Sequence, residues 1–191
     1  MAEPLLALTL EQQIQLLKIA RLTILHYVSR TTMPNLEESD ERLHSTEGVF
    51  VSLHIGDRLR GCIGRFDGDG PLYKTVMEMA VSAAFQDPRF PPLRSHELPK
   101  TDVELSILSP LQVVKPKEVE VGRHGLLVSQ GRARGTLLPQ VATQYEWSRE
   151  EFLGQTCEKG GLEADAWKDD DCVIQVFTAD VFSESEMRES R

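Results

Sequence analysis

The sequence is organised around Leu59-Arg60-Gly61-Cys62-Ile63-Gly64, which combines a nucleophilic side chain, a fixed positive charge and two glycines in one extended stretch. Glycine weakens a strand, and inside one it often marks a bulge or a close approach of a ligand or another backbone. This strand is therefore the first place to look for a functional site. The alternation of Val51, Leu53 and Ile55 before it predicts a partner strand, and Gly56-Asp57 predicts a two-residue hairpin turn.

Within this hairpin the side chain of Cys62 has two interpretations. Residues two apart in a strand share a face, so Arg58 and Arg60 are expected beside Cys62, where their charge would stabilise a thiolate. A turn at Gly56-Asp57 pairs Cys62 with Val51, however, and an apolar neighbour opposes the thiolate. The alternative is that Cys62 is a small buried hydrophobe, since free cysteine is among the most buried residue types.

Composition restricts the class of protein. A chain of 191 residues can bury the core of a single domain, which we expect to span residues 1–191. The formal net charge of −9 opposes tight binding to nucleic acid, because such binding needs a basic surface that displaces counterions. Three cysteines, with no apolar stretch suited to a signal peptide or a membrane span, predict a cytoplasmic protein without disulfides. The cysteines lack the paired short spacing of structural zinc sites, so the sequence gives no support for a metal site and specifies no cofactor.

The N-terminal segment predicts a helix. Thr9 and Gln12 are spaced as in a capping box, and apolar residues then recur at helical spacing as far as Val28. We therefore expect an amphipathic helix over about residues 10–30, followed by a surface loop.

The rest of the chain predicts a repeated unit of hairpin, helix and strand. In the first copy, at about residues 45–110, the last strand alternates and carries Glu104 on its polar face. The second copy, at about residues 111–182, has the same order, with Arg134-Gly135 in the place of Arg60-Gly61. The predicted class is therefore α+β with two unequal lobes, and a cleft between such lobes is a favoured position for a site.

Further polar candidates lie outside the first hairpin. Asp87 and Arg89 belong to a proline-rich, rigid loop, where they either pair and cap the preceding helix or face the cleft. In the second half the candidates include His124 and Cys157. The alternatives for these two are a turn residue and a thiol buried in a helix.

Several motifs run in order along the chain and together resemble one family. They are Leu59-Arg60-Gly61-Cys62-Ile63-Gly64, Ala83-Ala84-Phe85, Asp87-Pro88-Arg89-Phe90-Pro91-Pro92-Leu93, Val103-Glu104-Leu105-Ser106-Ile107-Leu108-Ser109-Pro110, His124-Gly125-Leu126, Arg134-Gly135-Thr136-Leu137-Leu138-Pro139-Gln140-Val141, Trp147, Phe152-Leu153, Cys157-Glu158-Lys159-Gly160-Gly161-Leu162 and Trp167. The chain thus resembles the AMMECR-one family, in its prokaryotic branch called AmmeMemoRadiSam system protein A. The resemblance covers nearly the whole chain, and Gly160 departs from it because alanine is expected there.

The resemblance implies an α+β fold of two unequal lobes with a cleft. It also implies two partners, a Memo-like protein and a radical S-adenosylmethionine protein, because the members of this branch are encoded alongside them. A shared pathway, or a shared modification, would follow from that association. The resemblance does not imply a particular reaction.

Two hypotheses for function follow. In the first, the chain is an enzyme that transfers or hydrolyses a group through a covalent adduct on sulfur. The residues assigned are Cys62 as the nucleophile, Arg60 as the cation that stabilises its thiolate, Gly61 or Gly64 as the source of a backbone N–H for developing negative charge, and Glu104 or His124 as proton-transfer groups.

In the second hypothesis the chain is a binding or adaptor module. The cleft then grips a peptide or a small molecule, with Arg60, Asp87 and Arg89 as hydrogen-bonding groups and Cys157 as a further binding candidate. Under this hypothesis Cys62 only fills space, and replacing it with serine leaves the affinity for a partner nearly intact.

Overall fold

The structure, a computed structural model, describes residues 7–32, 36 and 38–189. Its helices and strands confirm the predicted α+β class. The helices are α1 (Leu10–Val28), α2 (Leu72–Phe85), α3 (Pro139–Gln144), α4 (Arg149–Lys159) and α5 (Glu184–Glu189). The strands are β1 (Gly48–Ile55), β2 (Arg58–Arg65), β3 (Thr101–Leu108), β4 (Gln112–Val113), β5 (Gly125–Gln130), β6 (Ala133–Leu137), β7 (Val173–Phe177) and β8 (Ala179–Ser183). None of the helices in this described part of the chain has the length and apolar character needed to cross a membrane.

Two compact units make up the chain. The first contains the residues up to Leu108 together with those from Asp180 onward, and the second is Ser109–Ala179. The chain returns to the first unit at Asp180, and the division into lobes at about 45–110 and about 111–182 stays a prediction. The cleft predicted between the lobes stays a prediction.

Helix α1 begins where the capping-box pattern predicts. The side chain of Thr9 accepts the N–H of Gln12 at 3.3 Å, and the side chain of Gln12 accepts the N–H of Thr9 at 3.0 Å. The helix ends at Val28, close to the predicted end. Arg30 then adopts the left-handed conformation, with φ of 53°, that often follows a helix end.

Four strands form the sheet of the first unit, in the order β2-β1-β3-β8. Helices α1 and α2 pack on one face of it. Alternate residues of the two central strands supply the apolar side chains of that face, namely Val49, Val51, Leu53, Val103, Leu105 and Ile107. By the same alternation the opposite face carries the polar side chains Ser52, His54 and Glu104.

The hairpin of β1 and β2 contains a bulge that the sequence analysis does not predict. Ile55 pairs with Arg58 as expected, but the register shifts between Leu53 and His54, and Arg60 becomes an extra residue in β2. From that point every pair differs from the prediction. Cys62 lies opposite Ser52, so the predicted pairing with Val51 is wrong.

The second unit repeats the architecture of the first. Its strands lie in the order β4-β7-β5-β6. In this unit β5 lies between its hairpin partner β6 and the later strand β7, just as β1 lies between β2 and β3 in the first unit. Helix α4 packs on the second hairpin as α2 packs on the first. The repeated order of hairpin, helix and strand is therefore present in the structure.

The two Arg-Gly pairs occupy equivalent positions in the two units. A Cβ atom added to Gly61 would lie 2.2 Å from the carbonyl oxygen of Ala83 in α2. A Cβ atom added to Gly135 would lie 1.9 Å from the carbonyl oxygen of Thr156 in α4. In both units, then, glycine lets a helix approach the second strand of the hairpin more closely than any other residue would allow.

Candidate functional site

A row of three polar side chains crosses the face of the first sheet that lies opposite α1 and α2. Cys62 in β2 lies opposite Ser52 in β1, and Ser52 lies opposite Glu104 in β3. The hydroxyl of Ser52 donates to Sγ of Cys62 at 3.3 Å. We call these three residues the polar row. It gives Cys62 a hydrogen-bond donor as its neighbour in place of the apolar side chain that the sequence predicts.

Equivalent positions in the second unit carry a different set of side chains. There Thr136 takes the place of Cys62, Leu127 that of Ser52 and Gln175 that of Glu104, as the pairing of the strands shows. The second unit therefore shares the backbone arrangement but lacks the thiol and the carboxyl group.

The backbone of Cys62 is held by the loop after α2. The N–H of Cys62 donates to the carboxylate of Asp87 at 2.8 Å, and the Cys62 carbonyl oxygen accepts from the guanidinium of Arg89 at 3.1 Å. At the outer edge of β2, Asp87 and Arg89 thus make the two backbone hydrogen bonds of Cys62 that a neighbouring strand would otherwise make. Because both backbone groups of Cys62 point to this outer side, Cys62 and Ser52 form a non-hydrogen-bonded pair, in which opposing side chains lie closest.

Asp87 and Arg89 also bind each other, as one of the two predicted alternatives states. Nε and Nη2 of Arg89 donate to the Asp87 carboxylate at 2.9 and 2.7 Å. The side chain of Asp87 is almost fully buried, whereas that of Arg89 is 55% exposed. Hydrogen bonds from the Arg89 side chain hold the pKa of the Asp87 carboxyl far below its usual value, so Asp87 is a carboxylate across the physiological range.

Arg89, and not Arg60, is the cation that contacts Cys62. The guanidinium of Arg89 donates to the carbonyl oxygen of Cys62 at 3.1 Å. Arg60 instead donates to the carboxylate of Glu97 at 2.8 and 3.1 Å. The bulge interrupts the alternation on which the predicted alignment of Arg58, Arg60 and Cys62 depends, so that alignment is wrong.

Glu104 lies at the far end of the polar row. Burial raises the pKa of its carboxyl group, and the nearby His54 opposes that rise. His54 occupies the same face of β1 as Ser52, opposite Asp102 of β3. A thiol, a hydroxyl, an imidazole and a carboxyl group therefore share one sheet face, and these are the groups that nucleophilic and acid–base catalysis use.

The two glycines beside Cys62 accommodate other parts of the first unit. Gly61 makes room for the backbone of α2, as described above, and Gly64 makes room for an aromatic ring. A Cβ atom added to Gly64 would lie 2.2 Å from the ring of Phe50 in the neighbouring strand. These close contacts explain why both positions need glycine. The predicted role of their backbone N–H groups as donors to developing negative charge stays a prediction.

The remaining candidates, His124 and Cys157, belong to the second unit. Nδ1 of His124 accepts the N–H of Glu120 at 3.1 Å, which closes a turn, and burial lowers the pKa of the imidazole. Cys157 is fully buried in α4, where burial raises the pKa of its thiol. Its neighbour Cys172 lies within hydrogen-bonding distance. His124 is therefore a turn residue and Cys157 is a thiol buried in a helix. The roles of the two residues in a functional site stay predictions.

Sequence reasoning missed Ser52 and His54 as site residues. Both stand in the predicted alternation of β1, but their significance depends on the register with β2, which a single extra residue changes. Among the described residues no group of three or more His, Cys, Asp or Glu side chains is arranged to hold a metal ion.

Comparison with known proteins identifies the family. The family model AMMECR1 matches residues 17–182, which is most of the chain. The protein belongs to the AMMECR1 family. This assignment confirms the family resemblance that the motifs carry.

Relatives in the AMMECR1 family share the length of the chain. Protein MK0488 of Methanopyrus kandleri is 43% identical over 94% of this chain and 91% of its own length. Protein Mbar_A1807 of Methanosarcina barkeri is 42% identical over 88% of both chains. The crystal structure of the uncharacterized protein PH0010 from Pyrococcus horikoshii has a TM-score of 0.83, with 37% sequence identity, over 89% of this chain and 90% of that one. The fold described above is therefore similar to that of an experimentally solved chain.

Proposed function

We propose that this AMMECR1 protein is a cysteine-dependent enzyme that transfers or hydrolyses a group through Cys62. The observations that carry the proposal are the two contacts of Cys62: the Ser52 hydroxyl donates to its Sγ, and the Arg89 guanidinium donates to its carbonyl oxygen. A hydrogen-bond donor and a cation both favour a thiolate over a thiol. The clamp of Asp87 and Arg89 fixes the backbone that carries this sulfur.

The proposed reaction needs only a proton transfer and a nucleophilic attack. The thiol gives its proton to a base, and the thiolate sulfur forms a bond to an acyl carbon. The leaving group departs with that proton, which produces a thioester. Water or an acceptor then takes the acyl group, and the sulfur recovers a proton. Glu104, with its raised pKa, and His54 are the acid–base groups on the same face, and Ser52 lies between Glu104 and Cys62.

The test is the rate of alkylation of each cysteine by iodoacetamide across pH, read out by peptide mass spectrometry. An activated Cys62 reaches half of its maximal rate well below pH 8.5, the value typical of a free cysteine. Arg89→Gln raises this midpoint, whereas Arg60→Gln, which removes a guanidinium bound to Glu97, does not. Reaction of Cys62 only on unfolding would show a core residue and refute the proposal. Circular dichroism confirms that each variant is folded.

A second candidate function, a binding or adaptor module, is favoured by a different observation. The first unit contains a cavity of about 600 Å³ beside α1 and α5, which is large enough for a small molecule or a side chain of a peptide. Apolar side chains such as Leu17 and Met187 line it, next to the ion pair of Arg21 and Glu184. This cavity could hold part of a partner.

The resemblance supports a Memo-like protein and a radical S-adenosylmethionine protein as the partners of either function. Pull-down with each protein separates the two functions. A module loses the partner when Met187→Asp places a charge in the cavity, and it keeps the partner when Cys62→Ser removes the thiol. Binding that depends on Cys62 and not on Met187 contradicts the adaptor function.

A further inference from the structure

Another cavity, of about 420 Å³, lies beside α4 in the second unit. Both tryptophans of the chain, Trp147 and Trp167, line it. Trp147 comes just before α4, and Trp167 lies in the short helical turn Ala166–Lys168 after it. A Cβ atom added to Gly154 of α4 would lie 3.1 Å from the carbonyl oxygen of Ala164, so glycine lets the segment that carries Trp167 lie close to the helix. We call this cavity the tryptophan groove.

The two tryptophan side chains are half-buried and pack against the core of the second unit. The ring of Trp147 is stacked on that of Tyr145, with ring centroids 5.0 Å apart. The ammonium group of Lys168 lies over the ring of Trp167, 5.3 Å from its centroid. The side chain of Lys168 makes no hydrogen bond or ion pair with any described residue, so the ring face is the contact that this cation makes.

The charged side chains that line the tryptophan groove are mostly acidic. Among the described residues they are Glu150, Glu151 and Asp165, with Lys168 as the cation. Glu150 and Asp165 are exposed, and neither side chain forms a hydrogen bond or an ion pair within the described part of the chain. Glu151 accepts the backbone N–H of Ser148 at 2.8 Å, which does not neutralise its charge. Arg149, the adjacent cation in sequence, donates to the carbonyl oxygen of Val119. The groove is therefore negatively charged.

We propose that the tryptophan groove binds a small organic cation that carries a quaternary ammonium group. Such a cation has no N–H to donate, so aromatic ring faces and nearby carboxylates recognise it better than hydrogen-bond acceptors do. The groove supplies both, and its volume lies within the range of small-molecule sites. The ammonium group of the ligand takes the place of the Lys168 ammonium at Trp167, and Glu150 and Asp165 supply the opposite charge. This binding is independent of Cys62, because every lining residue belongs to the second unit.

Tryptophan fluorescence reports on this groove selectively, because the chain has two tryptophans and both line it. Choline chloride is the probe, and dimethylbutanol, in which a carbon atom replaces the ammonium nitrogen, is its uncharged isostere. We expect a saturable fluorescence change with millimolar choline and binding of the alcohol that is weaker by about tenfold or more. Sodium chloride at the same concentrations corrects for ionic strength. Equal binding of choline and the alcohol, or no saturable change with choline, refutes the proposal.

Charge variants on exposed side chains test which residues hold the cation. Asp165→Asn and Glu150→Gln each weaken choline binding about two- to threefold, because each removes one exposed charge, and they leave binding of the alcohol unchanged. Lys168→Gln strengthens choline binding by a similar factor, because it removes the competing ammonium group. Asp57→Asn, which removes an exposed carboxylate in the turn of the first hairpin, is the matched control and changes neither affinity. Choline affinities that are the same in all of these variants refute the assignment to the groove.

Replacement of one tryptophan tests the ring itself. Trp167→Leu abolishes the preference for choline over the alcohol, with Trp147 left as the reporter and circular dichroism as the check on folding. A preference that survives in the folded variant refutes the role of this ring. Cys62→Ser binds choline as wild type does, so failure of the proposed enzyme and failure of this inference are separate results.

A peptide that contains trimethyllysine distinguishes the source of the cation. We expect it to bind no more tightly than choline, because the tryptophan groove recognises the ammonium group alone. Binding that depends on Trp167 and is more than about tenfold tighter than that of choline refutes a small molecule as the ligand and assigns the groove to a protein partner.

Discussion

The carboxylate of Asp87 accepts the backbone N–H of Cys62 at 2.8 Å, across 25 residues of sequence. Asp87 is buried and also accepts three hydrogen bonds from Arg89, so it links the loop after α2 to the strand that carries the thiol. The motif after α2 and the motif around Cys62 therefore form one structural unit.

Removal of this carboxylate should destabilise the fold in a pH-dependent way. Asp87→Ala leaves the N–H of Cys62 without its acceptor, which costs about 1–3 kcal/mol in the free energy of unfolding. Because the pKa of Asp87 is lower in the folded state, its contribution is fully present above the ordinary value of about 3.9 and decreases progressively as pH falls from that value toward the folded-state pKa. Urea denaturation at pH 7 and pH 3 checks this, and we expect a smaller difference between Asp87→Ala and wild type at pH 3 than at pH 7. The exposed Asp170→Ala is the control, and a difference at pH 3 as large as that at pH 7 contradicts the argument.

Replacement of Ser52 should change the reactivity of Cys62 more than it changes stability. In Ser52→Ala the sulfur loses its hydrogen-bond donor, and we expect Cys62 to react more slowly with iodoacetamide at pH 7. Iodoacetamide kinetics measure the rate. Ser106→Ala, which replaces a buried serine of β3 on the same sheet face, is the control and should leave the rate unchanged. Equal rates in wild type and Ser52→Ala would show that the hydroxyl does not act on the sulfur.

The equivalent glycines of the two units should be equally intolerant of a side chain. Gly61→Ala and Gly135→Ala each force a Cβ atom against a helix carbonyl oxygen, and we expect a loss of about 1–3 kcal/mol from such overpacking. Thermal unfolding followed by circular dichroism measures both. Gly154→Ala, whose Cβ would lie 3.1 Å from the nearest atom, should be milder. Wild-type stability in either of the first two variants contradicts the shared role of these glycines.

Glu104 should lower stability at neutral pH. Its pKa is raised in the folded state, so the folded protein binds more protons than the unfolded chain between the ordinary value of about 4.3 and the raised value, and stability falls as pH increases through that window. Glu104→Gln removes this penalty and should have a higher urea midpoint at pH 7, with the difference vanishing below about pH 4. A lower midpoint at pH 7 would mean that the carboxylate makes stabilising contacts.

Local patterns were sufficient to predict much of the fold. The capping box of Thr9 and Gln12 predicted the start of α1, and the turn at Gly56-Asp57 predicted the β1–β2 hairpin. The recurrence of Arg-Gly predicted a repeat, which the order of strands in the two sheets shows. Each of these signals depends on residues close together in the chain.

The neighbours of Cys62 could not be predicted in the same way. The pairing with Ser52 depends on a bulge, and the contact with Arg89 depends on a loop that folds back over the edge of β2. Proximity in sequence favoured Arg60, but Glu97 engages that side chain. Tertiary structure determines which of the two arginines contacts Cys62, and the spacing of residues along one strand cannot predict it.

The extra residue in β2 sets the phase of everything that follows it in the strand. If Arg60 were instead paired with Leu53, Cys62 would pair with Val51 and turn toward α2, where the structure places Gly61 and leaves no space for a Cβ atom. A hairpin of the same length without the bulge would therefore exchange the faces of the sulfur and the glycine at once. Such a change would bury the thiol and, in the same step, break the packing of the helix, so the site depends on the bulge as much as on the cysteine.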